Sequence, residues 1–163
     1  MNGREITLVL TADPHASRYF RGVFPKDQLP RHISGKPACY VINTDSSRGP
    51  GEHWVAVWLH HDGRSEYFDS FGLPPRHREI IDFLRRNSVT WYHHNRRLLQ
   101  NVTSSTCGLY VIYYICMKSR GWSMRRLLRP FHPHRQRAND ELVWKITRPH
   151  LSALTYENRR CRV

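Results

Sequence analysis

An almost uniformly apolar run begins at Cys107 and continues through Leu-Tyr-Val-Ile-Tyr-Tyr-Ile-Cys to Met117. The stretch immediately before it, 100–106, is polar and rich in small residues. A surface helix keeps its apolar residues on one face, so a run that is apolar on every face predicts a helix buried on all sides. We therefore expect a helix from Cys107 to about Lys118, packed against a sheet in an α+β protein.

Cys107 occupies the boundary between the polar stretch and the apolar run, directly before Gly108. In the first turn of a helix, unpaired backbone N–H groups and the positive end of the helix dipole favour a thiolate over a thiol. A free cysteine inside an apolar run is more often a core residue, which is our interpretation of Cys39 and Cys116. The boundary position makes Cys107 a candidate nucleophile.

The residues that a thiolate nucleophile needs occur upstream. His53 heads the run His-Trp-Val-Ala-Val-Trp-Leu, and an Asp-Gly turn signal separates it from Ser-Glu-Tyr-Phe-Asp-Ser-Phe-Gly, which contains Asp69. This pattern predicts an antiparallel hairpin with His53 and Asp69 at one end. Taken alone, the histidine fits a strand end, the aspartate fits a turn, and Gln100 is uninformative. Together with Cys107 they supply a base, an orienting carboxylate and an oxyanion donor.

The order and spacing of these motifs resemble the adenovirus maturation protease (adenain) family of cysteine endopeptidases. The resemblance is carried by His53-Trp54, the Tyr-Phe-Asp-Ser-Phe-Gly motif, Gln100 and Cys107-Gly108, and it covers roughly residues 14 to 120. Upstream it includes Tyr-Phe-Arg-Gly at 19–22, Phe-Pro at 24–25 and the segment 38–44. It implies a permuted papain-like α+β fold with a central mixed sheet and a buried nucleophile-bearing helix.

The resemblance also implies the catalytic roles. Cys107 corresponds to the nucleophile, His53 to the general base and acid, Asp69 to the carboxylate that orients the imidazole, and Gln100 to the oxyanion donor. Most adenoviral members have glutamate at the position of Asp69, whereas the related ubiquitin-like-protein proteases use aspartate. The implied function is cleavage of structural and core precursor proteins of a DNA virus or virus-like element during virion maturation, in the virion and the host cell nucleus.

The chain is strongly basic, with 26 Lys and Arg residues against 13 Asp and Glu residues, and no acidic residue lies between Phe83 and Asn139. Such a charge attracts polyanions through binding that weakens with salt, although a solvated basic surface is the alternative. The resemblance implies nonspecific double-stranded DNA as a stimulating cofactor. The candidate DNA contacts are Arg85, Arg86, Arg96, Arg97, Lys118, Arg120, Arg125 and Arg126.

Members of the resembled family also bind a short activating peptide, which can form a disulfide with the protease. The attachment cysteine lies before the glutamine in those proteins, but the segment 89–99 contains none here. The sequence therefore leaves non-covalent strand addition along Val89–His93 as the alternative. No metal is expected, because paired histidines on a strand point to opposite faces. The four cysteines have no CxxC spacing, so we predict no disulfide framework and a reducing compartment.

The length of 163 residues predicts one protease domain, 1–163, ending in a mobile tail at 155–163 that includes Cys161. We expect a monomer without a membrane-spanning run. The predicted strands are 38–43, 53–59, 66–69 and 89–93, and the predicted helices are 14–20, 75 onward, 107–118, 123–128 and 139–146.

Two other functions use the same features. The first is a deconjugating protease that removes ubiquitin-like modifiers with the same catalytic residues. The second is a catalytically inactive module that keeps the fold and binds DNA through its basic surface.

Overall fold

The computed structural model describes residues 1–33, 35–89, 92–152 and 154. Its helices are α1 (Gly3–Ala12), α2 (Arg78–Asn87), α3 (Cys107–Lys118), α4 (Met124–Leu128) and α5 (Gln136–Thr147), and its strands are β1 (Phe20–Pro25), β2 (Ala38–Asn43), β3 (Trp54–Leu59), β4 (Ser65–Phe68) and β5 (His93–His94). Short 3-10 helices occur at Ala16–Arg18, Lys26–Gln28 and Arg148–Leu151. None of the helices in the described residues is both long and apolar enough to cross a membrane. The predicted α+β class is confirmed.

The strands form one mixed sheet in the order β1-β2-β3-β4-β5. The central strands β2, β3 and β4 are antiparallel neighbours, while β1 and β5 pair in parallel at the two edges. In the β3–β4 hairpin, Ala56 lies opposite Phe68 and Leu59 lies opposite Ser65. The residue before β3 and the residue after β4 therefore lie at the same end of the hairpin.

Helices cover both faces of the sheet. Cys39 and Val41 of β2 face the cluster that contains α1, α3 and α5, whereas Tyr40 and Ile42 face the cluster that contains α2. Because successive strand residues point to opposite faces, a strand covered on both sides is apolar at every position. All six residues of β2 are buried.

The helix α3 lies in the interior and is buried at every position from Gly108 to Cys116. Its Tyr114 ring stacks on Phe68 of β4 at 4.6 Å between centroids. The Tyr113 hydroxyl donates to the Leu127 carbonyl at 2.8 Å. The predicted buried helix is confirmed, and its contact with β4 sets Cys107 beside the end of the β3–β4 hairpin.

Several elements differ from the sequence expectations. The helix α1 was not predicted, although Asn2 and Glu5 form a capping box that signals its start. The predicted helix 14–20 is wrong, because only Ala16–Arg18 form one 3-10 turn and Phe20 already belongs to β1. The helix expected from residue 75 begins at Arg78.

The strand predicted at 89–93 appears only as the two-residue β5, which pairs with β4. Thr90 and Trp91 lie outside the described residues, and so do the expected tail at 155–163 and Cys161.

Candidate active site

His53 and Asp69 form a direct hydrogen bond at the end of the β3–β4 hairpin, with 2.7 Å between Nε2 and Oδ1. The same carboxylate oxygen accepts the backbone N–H of Phe71 at 2.9 Å. The Phe71 ring stacks on the imidazole at 4.7 Å between centroids. The carboxylate and the stacked ring together fix the orientation of His53 and leave Nδ1 for another partner.

Cys107 begins α3 and supplies that partner. Burial would raise the pKa of its thiol, but hydrogen bonds from His53 and from the backbone N–H groups of Trp54 and Gly108 outweigh this effect and lower the pKa. For His53, burial disfavours the cation, yet hydrogen bonds to Asp69 and Cys107 raise the pKa to about 9. These shifts favour a thiolate–imidazolium pair, which is the nucleophilic form of a cysteine.

Asn95 holds Asp69 through its backbone. The Asn95 side chain accepts the Asp69 N–H at 2.9 Å and donates to the Asp69 carbonyl at 2.6 Å. The asparagine is 1% exposed. A buried amide that satisfies both backbone groups fixes the position from which the carboxylate reaches His53.

Gln100 is buried beside the thiol, and both ends of its amide are engaged. Its Oε1 accepts the Ser70 hydroxyl at 2.7 Å, and its Nε2 donates to the Ser104 carbonyl at 2.7 Å. An amide nitrogen carries two hydrogens, so one N–H remains for a ligand. Because Gln100 and Cys107 line the same cavity, that donor can serve a developing oxyanion.

Asp140 of α5 anchors the polar stretch that leads into α3. Its Oδ1 accepts the hydroxyls of Thr106 and Tyr110, each at 3.0 Å. Its Oδ2 accepts the Asn101 N–H at 3.3 Å. The stretch between Gln100 and Cys107 is therefore tied to a helix from the far end of the chain.

Two cavities meet at Cys107 and form one open groove. The first cavity has a volume of about 430 Å³ and contains His53, Asp69 and Gln100. The second has a volume of about 620 Å³ and is bounded by α1, β1 and the loop before β3. Glu52, Ser105 and Cys107 line both cavities. The groove can therefore hold a polymer on both sides of the thiol.

The structure brings the four predicted site residues together, and it adds Ser70, Phe71, Asn95 and Asp140 as supporting residues. Ser70 and Phe71 belong to the Tyr-Phe-Asp-Ser-Phe-Gly motif, so their proximity to Asp69 could have been read from the sequence. Asn95 and Asp140 come from separate segments, and nothing in their local sequence marks them.

Three of the eight candidate DNA contacts hold the fold together instead. The side chain of Lys118 is 8% exposed and pairs with Glu66 at 2.6 Å, so its prediction as a phosphate contact is wrong. Arg120 binds Asp13 at 2.8 Å. The Arg97 guanidinium donates to the carbonyls of Leu128 and Phe131. The other five candidates are exposed, namely Arg85, Arg86, Arg96, Arg125 and Arg126.

A carboxylate, a thiol and an imidazole meet away from the groove, where ligand atoms of Asp13, Cys116 and His150 lie within 4.8 Å of one another. Arg120 donates to both Asp13 oxygens, at 3.1 and 2.8 Å. Burial raises the pKa of Cys116 to about 12, so its thiol stays protonated. A carboxylate already bound by a cation and a protonated thiol do not fit a metal ion.

Comparison with known proteins shows similarity to viral proteases. Over 86 residues the chain is 35% identical to the cysteine protease of African swine fever virus, covering 46% of this chain and 31% of the relative. In three other isolates the relative is named SUMO-1 cysteine protease, at 34% identity over 86 residues, with the same coverage. Over 119 residues it is 28% identical to the protease of Bovine adenovirus C serotype 10, covering 65% of this chain and 57% of the relative. No protein-family model matches the chain.

The solved structures agree on the fold. A crystal structure of the African swine fever virus protease matches with a TM-score of 0.52 and 27% identity, covering 71% of this chain and 45% of the other. The central domain of an uncharacterized Legionella pneumophila protein matches with a TM-score of 0.51 and 18% identity, covering 99% and 96%. The latter likeness concerns the fold alone. The chain is a homologue of the proteases of African swine fever virus and adenoviruses, and it has their papain-like cysteine protease fold.

Proposed function

We propose that the chain is a cysteine endopeptidase of a DNA virus or virus-like element that cleaves structural and core precursor proteins during virion maturation. One observation carries the proposal: Cys107 at the start of the buried α3 lines one cavity with His53, which lowers the pKa of the thiol and itself binds Asp69 at 2.7 Å. This arrangement places a nucleophile, a base and an orienting carboxylate in one open groove.

In the proposed acylation step, the Cys107 thiolate attacks the carbonyl carbon of a peptide bond and pushes the π electrons onto oxygen. The Gln100 amide and the Cys107 backbone N–H stabilise the oxyanion, because the first N–H groups of a helix have no partner within it. The intermediate collapses as the imidazolium of His53 protonates the departing amine. The products of this step are a thioester on Cys107 and a free amine.

Deacylation repeats the chemistry with water. Neutral His53 removes a proton from the water as its oxygen attacks the thioester, and the thiolate of Cys107 leaves. The bond from Asp69 keeps the same imidazole nitrogen facing the groove through both steps. The cycle needs no metal or organic cofactor, since each proton and electron pair moves between side chain, substrate and water.

Protein substrates suit the groove, because its two cavities extend on both sides of the thiol. The relatives come from DNA viruses, which supports the viral setting. The proposed locations are the virion and the host cell nucleus, where reducing conditions keep Cys107 free. The chain spans 31% and 57% of the lengths of two curated relatives. The proposed substrates are therefore inferred from the groove of this chain and not from the whole of those relatives.

DNA is the proposed stimulating cofactor, and the chain is proposed to act as a monomer. The net charge of +13 and the exposed Arg85, Arg86, Arg96, Arg125 and Arg126 support this binding. A peptide activator would bind without a disulfide, at the β5 edge of the sheet. If the affinity for duplex DNA does not decrease as the salt concentration is raised, the proposed phosphate contacts are contradicted.

The test incubates wild type and Cys107→Ala with peptides derived from viral precursor proteins, with and without duplex DNA. We expect cleavage by wild type only, with a higher rate when DNA is present. Mass spectrometry provides the readout. It identifies the cleavage products and detects a thiol-directed peptide electrophile bound to Cys107. Wild type that neither cleaves nor becomes labelled would support the inactive DNA-binding module instead.

The second candidate is a protease that removes ubiquitin-like modifiers. The name SUMO-1 cysteine protease of some relatives favours it, and so does an aspartate at position 69. Cleavage of a ubiquitin-like precursor after its Gly-Gly tail, without cleavage of viral precursor peptides, would establish this function in place of maturation.

A further inference from the structure

Glu52 immediately precedes His53 and lines both cavities of the groove. Its backbone N–H donates to the Asn43 side chain at 3.0 Å, and its carboxylate accepts the Thr44 hydroxyl at 3.1 Å. The residue is nevertheless exposed. Thus a carboxylate is fixed in place beside the thiol while remaining open to a ligand.

The charge of Glu52 has no cationic partner, since no Lys, Arg or His among the described residues forms an ion pair with it. Elsewhere in this basic chain, the buried Asp13 pairs with Arg120 and the partly buried Glu66 pairs with Lys118. Glu52 keeps its charge available in a molecule with 26 basic residues.

Among the described side chains that line the larger cavity, the one charge is negative, although most of the molecule is positive. Apart from the Cys107 thiol, Glu52 is the only ionisable side chain among the described residues that line it, and the α-amino group of Met1 lies at the same cavity. Two further carboxylates lie behind its wall: Asp27 accepts the Ser47 N–H at 2.8 Å, and Asp45 accepts the Gly51 N–H at 3.0 Å. Arg48 is exposed in the same loop but does not line the groove.

We propose that Glu52 determines specificity by binding a lysine or arginine side chain of the substrate next to the cleaved bond. This inference rests on the proposed protease function and adds the chemistry of the substrate. Proteins that pack DNA neutralise its phosphates with Lys and Arg, so core precursors are rich in such side chains. A carboxylate in the groove offsets the repulsion between a basic enzyme and a basic substrate.

The experiment measures kcat/KM at low salt for one cleavable precursor peptide and its variants. In each variant, one of the two residues that flank the cleaved bond is replaced by Lys, Gln or Glu. For wild type we expect Lys to exceed Glu by about five-fold at one or more positions, the effect of one exposed ion pair. Glu52→Gln should abolish this ratio, and Glu52→Lys should invert it. Added salt should reduce the wild-type ratio.

Glu141→Lys provides the matched control, because Glu141 is exposed on α5 and does not line either cavity of the groove. It makes the same change in net charge, so it should leave the Lys-to-Glu ratio unchanged. The readout is the ratio of kcat/KM between two peptides. An effect of the Glu52 substitution on His53 that is the same for both peptides therefore cancels. A ratio that is the same in wild type and Glu52→Lys would overturn the inference while leaving the protease function intact. If wild type cleaves no peptide and Cys107 resists labelling, the protease function itself fails and the inference fails with it.

Discussion

Each end of α3 meets a histidine and a carboxylate supplied by the β3–β4 hairpin. The thiol cluster consists of Cys107, His53 and Asp69, and the amine cluster consists of Lys118, His60 and Glu66. The histidine–carboxylate distances are 2.7 Å in the thiol cluster and 3.1 Å in the amine cluster. Since α3 has 12 residues, the clusters lie about 17 Å apart.

Antiparallel pairing explains why the arrangement occurs twice. His53 precedes β3 and His60 follows it, while Glu66 lies within β4 and Asp69 follows β4. The two ends of the hairpin therefore each carry one histidine beside one carboxylate. A helix that packs along the hairpin presents its first residue to one pair and its last residue to the other.

The third residue decides what each cluster can do. Cys107 can give its proton to His53 and become a nucleophile in an open groove. Lys118 pairs with Glu66 at 2.6 Å, and although burial disfavours the Glu66 charge, bonds from His60, Lys118 and Tyr114 lower the pKa of that carboxyl to about 2. The same backbone arrangement thus yields a reactive site at one end and a stabilising ion pair at the other.

The largest effect should come from removing the third residue of the thiol cluster. Cys107→Ala should lower peptide turnover by at least about 10⁴-fold, because the covalent route is lost. Circular dichroism should show the fold unchanged. The matched control is Cys116→Ala, which removes a buried thiol from the same helix and should keep turnover. Near wild-type turnover in Cys107→Ala would place the nucleophile elsewhere.

The next largest effect should come from removing Gln100, the proposed oxyanion donor beside the thiol cluster. The amine cluster has no such donor. Gln100→Ala should reduce kcat by about 10²–10³-fold with a small change in KM, since the donor acts on the transition state. Ser70→Ala removes the bond that holds Oε1 and should cause a smaller loss. If Gln100→Ala slows the alkylation of Cys107 by a small reagent as much as it lowers kcat for a peptide, Gln100 acts on the thiol instead.

Removing the third residue of the amine cluster should affect stability and leave the chemistry intact. Lys118→Met should lower the free energy of unfolding by about 3 kcal/mol at pH 7, because it removes the ammonium partner of the largely buried Glu66 carboxylate. That carboxylate is then left with the bonds from His60 and Tyr114. The folded pKa of Glu66 is about 2 against an ordinary 4.5, so its contribution is present above pH 4.5 and is lost as pH falls through 2.

Urea denaturation at several pH values measures the Lys118→Met effect, and the difference from wild type should shrink between pH 4.5 and 2. Turnover per folded molecule should stay at the wild-type level. A large loss of turnover at unchanged stability would show that the two clusters are coupled through α3.

The smallest effect concerns protonation of the thiol cluster. The pKa of His53 is about 9 and that of Cys107 is lowered, so the thiolate–imidazolium pair exists below pH 9 down to the cysteine pKa. Alkylation of Cys107 by iodoacetamide should therefore stay fast at pH 7. In His53→Ala it should fall about ten-fold or more, toward the behaviour of an ordinary thiol. Identical pH profiles for the two proteins would contradict the ion pair.

Local sequence patterns predicted most of the elements that build the site. The bounds of β2 and α3 match the expected 38–43 and 107–118, because both segments are apolar throughout and end at polar residues. The hairpin follows from its turn signal and its neighbouring strands. The edge strand β1 was missed since it contains Gly and Pro and gains its regular form from pairing with β2.

By itself, the sequence determined which chemical groups the chain offers and which hairpin end carries His53 and Asp69, because both depend on residues close together in the chain. Only the tertiary structure decided that Cys107 meets this pair and that Lys118 is buried against Glu66. Both outcomes depend on how α3 packs along the sheet. That packing is set by side chains from α1, α5 and all three central strands, and no local pattern encodes it.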